Sequence, residues 1–178
     1  MRLVRYGELA KDPSPSTGDL TPESHRKALE LGAAWRAEDF VPQLVISSPT
    51  PCAMRTTEAV CMDLCGEDFF PLHREEFYMG HNNKWRELFT SLSKRIGDQP
   101  PHVYLADEDA RRILMKHAKE AWAKLLKLLS PRTATHAALF GDELLLIALE
   151  QFAMPKEEGT IIPRLGPCES REIIVRYA

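Results

Sequence analysis

Residues 3–8 read LVRYGE, and this short stretch decides the fold of the chain. Leu3 and Val4 make a brief apolar run that passes at once into Arg5, Tyr6, Gly7 and Glu8. The pattern is a buried strand, within residues 1–7, ending in a glycine turn that carries an arginine and a glutamate. Two further stretches repeat the arrangement. PQLVISSP (42–49) runs into TPC, and THAALFG (135–141) runs directly into DELLLIALEQFAM (142–154). Each is a short apolar run, then small and polar residues, then a helical pattern.

The helices announce themselves by their ends. In LTPESHRKALELGAAWRAEDF (20–40), Thr21 is placed to cap, Pro22 to start and Glu23 to favour the first turn, with Leu29, Ala33 and Trp35 or Arg36 on the amphipathic face. PTPCAMRTTEAVCMDLCG (49–66) is a second helix stopped by Gly66. DEDARRILMKHAKEAWAKLLKLLS (107–130) is a third, with Ile113, Ala121, Leu125, Leu128 and Leu129 on one face and Pro131 after it. Residues 10–19 read as a loop, 67–100 as less regular, HVYLA (102–106) as a short strand, and REIIVRYA (171–178) as the last strand. Strands alternating with helices imply a single α/β domain over residues 1–178: a three-layer sandwich around a mostly parallel sheet. Ligands of such folds bind beyond the carboxyl ends of the strands, where RYGE, SSPTPC and FGDE would meet.

Composition excludes several classes. The 178 residues are 44% apolar and 28% charged with a net charge of −3, which fits an ordinary globular chain and gives nucleic acid no basic tract to meet. No apolar run reaches the roughly 18 residues that a membrane span needs. The first residues read as a strand and not as a leader, and the scattered cysteines make a reducing compartment, the cytoplasm, the expected one. Cys52, Cys61, Cys65 and Cys168 lack metal-ligand spacing. Cys61 and Cys65 would share one helix face as buried reduced thiols. No metal and no cofactor are expected.

Four segments in register resemble the histidine phosphatase superfamily, the phosphoglycerate mutase-like proteins. LVRYGE is similar to that family's L-V-R-H-G-E. LTPESHRKALELGAAW is similar to its L-T-x-x-G-x-x-Q-A-x-x-L-G helix. LVISSPTPCAMRTTEAV is similar to L-V-x-S-S-P-x-x-R-A-x-x-T-A-E-A, and AALFGDELLLIAL to V-x-x-V-x-H-G with its following helix. The resemblance implies a phosphoglycerate mutase-like fold. It also implies a site in which one histidine takes the phosphoryl group, two arginines and a second histidine hold its oxygens, and a carboxylate acts as acid.

Carried over residue by residue, three of those five positions are changed. Arg5 is kept, and Gly7 and Cys52 fall at ligand-binding positions. Tyr6 stands at the nucleophile and Cys52 at the second arginine, with Arg55 one turn further on. Asp142 stands at the second histidine. Glu76, four residues before Gly80, matches the acid. A phenol, with an ordinary pKa of about 10, is protonated at neutral pH and is a poor nucleophile. Exchanging Arg for Cys and His for Asp also strips positive charge and adds negative. One unit charge facing another at about 4 Å is worth roughly 4 kcal/mol at an effective dielectric of about 20. A phosphate dianion is therefore expected to bind weakly, and phosphoryl transfer is expected to be lost. The expectation is a binding or regulatory module for a small molecule or a protein, of unassigned oligomeric state.

Other readings of these residues remain open at this point. An altered nucleophile could sustain a phosphomonoesterase or mutase-like enzyme, and Cys52 could be a reactive thiolate at a helix start. A substitute histidine could come from His73 or His81. His25 and His117 read as solvated, and His136 lies at the far end of its strand. Glu8, Glu76, Asp142 and Glu143 could hold a cation, or Glu8 and Glu143 could pair with Arg5 while Asp142 caps a helix. Phe69, Phe70, Phe77 and Tyr78 could form a partner surface.

Overall fold

Strand β4 (Ala137–Gly141) is buried along its whole length because β1 (Arg2–Arg5) and β2 (Leu44–Ser47) flank it, both parallel to it. Beyond β2 lies β3 (Leu72–His73), also parallel, and beyond β1 lies β5 (Ser170–Glu172), antiparallel. The sheet order is β3-β2-β4-β1-β5. This computed structural model describes residues 1–10, 19–66, 70–80, 82–130, 135–155 and 162–175. Most of the loop over 10–19, the Pro131 stop, the end of the last strand, His81 and Phe69 lie outside them.

Alternation along the strands supplies both faces of the sheet, since successive side chains point to opposite sides. Leu3, Leu44, Ile46, Ala137 and Leu139 face one core, and Val4, Val45, Ala138 and Phe140 face the other. The second core is covered by α1 (Pro22–Ala37) and α2 (Pro51–Cys65), where Trp35 meets Phe40 edge-on at 4.9 Å. The first is covered by α3 (Asn83–Ile96), α4 (Pro101–Ala106), α5 (Glu108–Leu129) and α6 (Glu143–Ala153). The result is the expected three-layer α/β sandwich. No helix among the described residues is long and apolar enough to cross a membrane.

Helix ends follow the sequence signals. Thr21 accepts from the Ser24 N–H at 3.1 Å with Pro22 in the first turn, Asp107 accepts from the Ala110 N–H at 2.8 Å, and Gly66 ends α2 at φ 78°. Several details differ from the expectation. HVYLA is the helix α4 and not a strand: Pro100 and Pro101 start it, and the Tyr104 hydroxyl fastens it to Gly97 O at 2.7 Å. The supposedly irregular 67–100 contains α3, capped by Asn82, which accepts from the Trp85 N–H at 3.0 Å. The apolar face of α1 is turned by one residue, burying Ala28, Gly32 and Trp35 and leaving Leu29 and Ala33 exposed. His117 is buried against the rings of Trp85 and Phe89, at 4.6 and 5.5 Å, and not solvated. Phe77 is also core, so of the aromatic set Phe70 and Tyr78 are the exposed members described here.

Gly32 is where α1 and α2 come closest. A Cβ there would lie 2.5 Å from Val60 O, a backbone atom that cannot turn aside. Alanine is the better helix former by roughly 1 kcal/mol, so a net loss would measure the clash. Gly32→Ala is expected to lower the urea midpoint with an unchanged slope, by a net ~1–3 kcal/mol of overpacking. A midpoint at or above that of the natural protein would show that the two helices part without cost.

Candidate functional site

The site is built where β1, β2 and β4 end together. The β1–β4 register sets Arg5 beside Gly141, and the Tyr6 N–H donates to Gly141 O at 3.3 Å as the ladder closes. The next residues, Tyr6 and Asp142, therefore leave the sheet side by side. The Ser48 N–H donates to Phe140 O at 2.9 Å and brings the SSPT turn to the same edge. There Thr50 Oγ1 sits 2.9 Å from Ser48 Oγ and accepts from Cys52 Sγ at 3.4 Å.

Gly7 is fixed by packing. Its N–H donates to Thr56 Oγ1 on α2 at 2.9 Å, and that hydroxyl donates to Cys52 O at 2.6 Å. A Cβ at Gly7 would lie 2.7 Å from the Ser24 Cβ and 3.1 Å from Cys168 Sγ, so only glycine lets β1 pass this close to α1. Cys168 Sγ donates to Ser24 O at 3.3 Å, and burial pushes that thiol up to about 11.

The Tyr6 hydroxyl donates to Asp142 Oδ2 at 3.3 Å, long for an O–H···O bond. Asp142 also accepts from the Leu144 N–H at 2.9 Å, and so is the N-cap of α6 as well as the partner of the phenol. Burial raises the Tyr6 phenol far above its ordinary value, and the charges of Asp142 and Cys52 and the bond to Asp142 add to this, against Arg5. Burial likewise raises Asp142, while its bonds to Leu144 N–H, Tyr6 and Leu145 N–H, with Arg5, pull the other way. Both groups thus favour their protonated forms more than they would in water.

Arg5 is held by its own chain. Its Nη1 donates to Leu165 O at 2.6 Å and lies 3.3 Å from Glu143 Oε2, while Glu143 Oε1 accepts from the Leu165 N–H at 2.8 Å. The pairing of Glu143 with Arg5 was one reading of the acidic residues. The part taken by Leu165 was not visible, because a backbone carbonyl and N–H far away in the chain leave no residue-type signal. Glu8, exposed, gives its backbone to Ser24 and Thr21. Arg55 is turned to Glu58 at 2.8 Å and Asp19 at 3.9 Å.

Glu76 lies, half-buried, on a 3₁₀ turn (Glu75–Phe77). The Arg74 N–H donates to Ser47 O at 2.8 Å, and Phe77 O reaches 3.8 Å from a Cβ placed on Gly141, so this turn sits over the ends of β2 and β4. The structure thus brings Arg5, Tyr6, Cys52 and Asp142 to one edge, with the Glu76 turn above it. His25 on α1 and His73 on β3 are exposed, and His136 packs on Phe40 at 5.0 Å at the opposite end of the sheet. Among the described residues no three His, Cys, Asp or Glu side chains converge as metal ligands.

Asp142 gives the site a pH signature. An acid with a native pKa above its ordinary 3.8 binds its proton more tightly when folded. Its contribution to stability is complete below that ordinary value and is lost as pH rises through the raised native one. Asn caps as well as Asp but does not titrate. Asp142→Asn is therefore expected to gain in stability on the natural protein as pH rises from about 4 to about 7. Urea unfolding at both pH values checks it, and an unchanged difference would count against the raised carboxyl.

No family model matches the sequence, and no curated protein matches it. Solved structures do. A mycobacterial glucosyl-3-phosphoglycerate phosphatase in complex with VO3 aligns at TM-score 0.66 and 12% identity, over 96% of this chain and 90% of that one. A phosphoglycerate mutase from Bacillus anthracis aligns at TM-score 0.60 and 14% identity, over 94% and 85%. The protein histidine phosphatase SixA, complexed with tungstate, aligns at TM-score 0.57 and 12% identity, over 92% and 84%. At these identities the likeness is one of architecture, and it agrees with the order and register of the strands: the chain has the phosphoglycerate mutase-like fold of the histidine phosphatases.

Proposed function

We propose that this protein is a histidine phosphatase-like chain that has lost phosphoryl transfer and acts in the cytoplasm as a binding or regulatory module for a small molecule or a protein. The observation that carries the reading is the Tyr6–Asp142 hydrogen bond, 3.3 Å long, at the two positions where the resemblance calls for histidines. A nucleophile must shed its proton and approach an anionic phosphorus centre. Here the phenol is pushed further from ionising, and its acceptor is a carboxyl group. Deprotonating both would place two negative charges together in a partly buried site, and a phosphate would add more.

Cys52 offers no ready substitute, since its thiol proton points to Thr50 Oγ1 and Arg55 is turned to Glu58. Among the described residues, Cys52 and Arg55 thus supply no second clamp on a phosphoryl group, and Tyr6 no ready nucleophile. What remains is a polar edge between three strand ends, in which an amide, a hydroxyl or a cationic group would meet acceptors at Asp142 and Thr50.

Turnover of a generic aryl phosphate tests the reading. The natural protein is expected to release phosphate no faster than buffer. A variant with Tyr6→His, Cys52→Arg and Asp142→His is expected to show measurable turnover. Turnover by the natural protein that disappears in Tyr6→Phe would falsify the proposal and establish a phenol nucleophile.

A further inference from the structure

We propose that Glu143 closes Arg5 to oxyanions: its carboxylate occupies the guanidinium as an intramolecular anion, and removing its charge opens an oxyanion site. This deepens the functional reading above, and rests on it only in taking Arg5 as the anion contact of the strand-end site.

The arrangement is a closed ring of three groups. Arg5 Nη1 donates to Leu165 O at 2.6 Å and lies 3.3 Å from Glu143 Oε2, and Glu143 Oε1 accepts from the Leu165 N–H at 2.8 Å. Neither side chain is free in water: Arg5 is 23% exposed and Glu143 14%. The Arg5 backbone is anchored to the turn that precedes β5, which fixes where the side chain starts from. Arg5 N–H donates to Glu169 O at 3.1 Å and Arg5 O accepts from the Cys168 N–H at 3.0 Å.

An incoming phosphate or sulfate must therefore either share the guanidinium with Glu143 or displace it. Sharing sets like charges a few ångströms apart in a site shielded from solvent. Displacement breaks both holds on Glu143, the ion pair and the bond from Leu165 N–H. The two carboxylates at the end of β4 thus have separate tasks. Asp142 caps α6 and takes the Tyr6 hydroxyl, whereas Glu143 is given wholly to Arg5 and Leu165.

Glutamine at this position isolates the charge, since its carbonyl oxygen can still accept from the Leu165 N–H. Titration calorimetry with inorganic phosphate should be run on the natural protein, on Glu143→Gln, and on Glu143→Gln with Arg5→Met. Glu143→Gln is expected to bind phosphate about tenfold more tightly or better, the effect of removing one close like charge. Arg5→Met is expected to abolish the gain. A folded Glu143→Gln with the phosphate affinity of the natural protein would overturn the proposal, as would a gain that survives Arg5→Met.

Should Glu143→Gln not fold, Glu143→Ala supplies the answer. It removes the charge together with the side chain, so a gain that Arg5→Met abolishes supports the proposal and no gain overturns it. Inorganic phosphate has no ester to cleave, so this outcome is independent of turnover. Phosphate release by the natural protein would sink the functional reading and leave the Glu143 result to stand or fall by itself.

Discussion

The parallel pairing of β1 with β4, in the register that sets Arg5 beside Gly141, is the constraint on which the rest of this site depends. Because side chains alternate along a strand, a slip of one residue would exchange Leu3 and Val4 between the two cores. That register is therefore fixed by the burial of Leu3 on one face and Val4 on the other, neither of them a site residue. Once it is fixed, Tyr6 must emerge next to Asp142, and Arg5 within reach of Glu143. The β2 turn follows through the bond from Ser48 N–H to Phe140 O. Site geometry is here a consequence of apolar packing.

Electrostatics then decides what that geometry is good for. Two features of the edge attract anions in general: the amino end of a helix and a guanidinium held by the fold. In this chain each is met from within. Asp142 satisfies the start of α6, and Glu143 satisfies Arg5. A carboxylate carried by the chain has no association entropy to lose, so it competes at a high effective concentration against any free anion. The arrangement is also self-supporting, because removing one member leaves its partner partly buried and uncompensated.

Much of this was legible in the sequence, and the boundary between what was and was not has a physical meaning. Thr21, Pro22 and Gly66 act on their immediate neighbours, and each marks a helix end as expected, while the cap at Asp142 was one of two readings of that residue. The strands at Leu3–Val4, Leu44–Ile46 and Ala137–Phe140 were visible because burial on both faces leaves an unbroken apolar run. Failures came where a distant contact overrides local preference. Val103 and Tyr104 favour strands, yet the two prolines before them and the grip of Tyr104 on Gly97 O make a helix. His117 is of a type that occurs inside and outside alike, and only the packing of α3 against α5 puts it in the core. The hold of Leu165 on Arg5 spans most of the chain, and its holds on Arg5 and Glu143 both run through Leu165 backbone atoms, so no residue type could reveal them.

Tyr6 is best understood as half of a pair. With a basic imidazole beside it, a phenol could donate its proton and acquire nucleophilic character. Its neighbour is instead a carboxyl group whose own proton affinity is raised by burial. Ionising Tyr6 next to ionised Asp142 is opposed by desolvation and by Coulomb repulsion together, and each group makes the other's charged form costlier. In the observed arrangement the phenol keeps its proton and donates it to Asp142, with any charge on Asp142 balanced by the α6 amides and the nearby Arg5. On the reading proposed above, chemistry at phosphorus is opposed by the combination, and restoring one member alone would leave the other to oppose it. An imidazole at position 6 beside Asp142 would be held as its cation, and a phenol beside an imidazole at 142 would still have the Cys52 thiol where the resemblance implies an arginine.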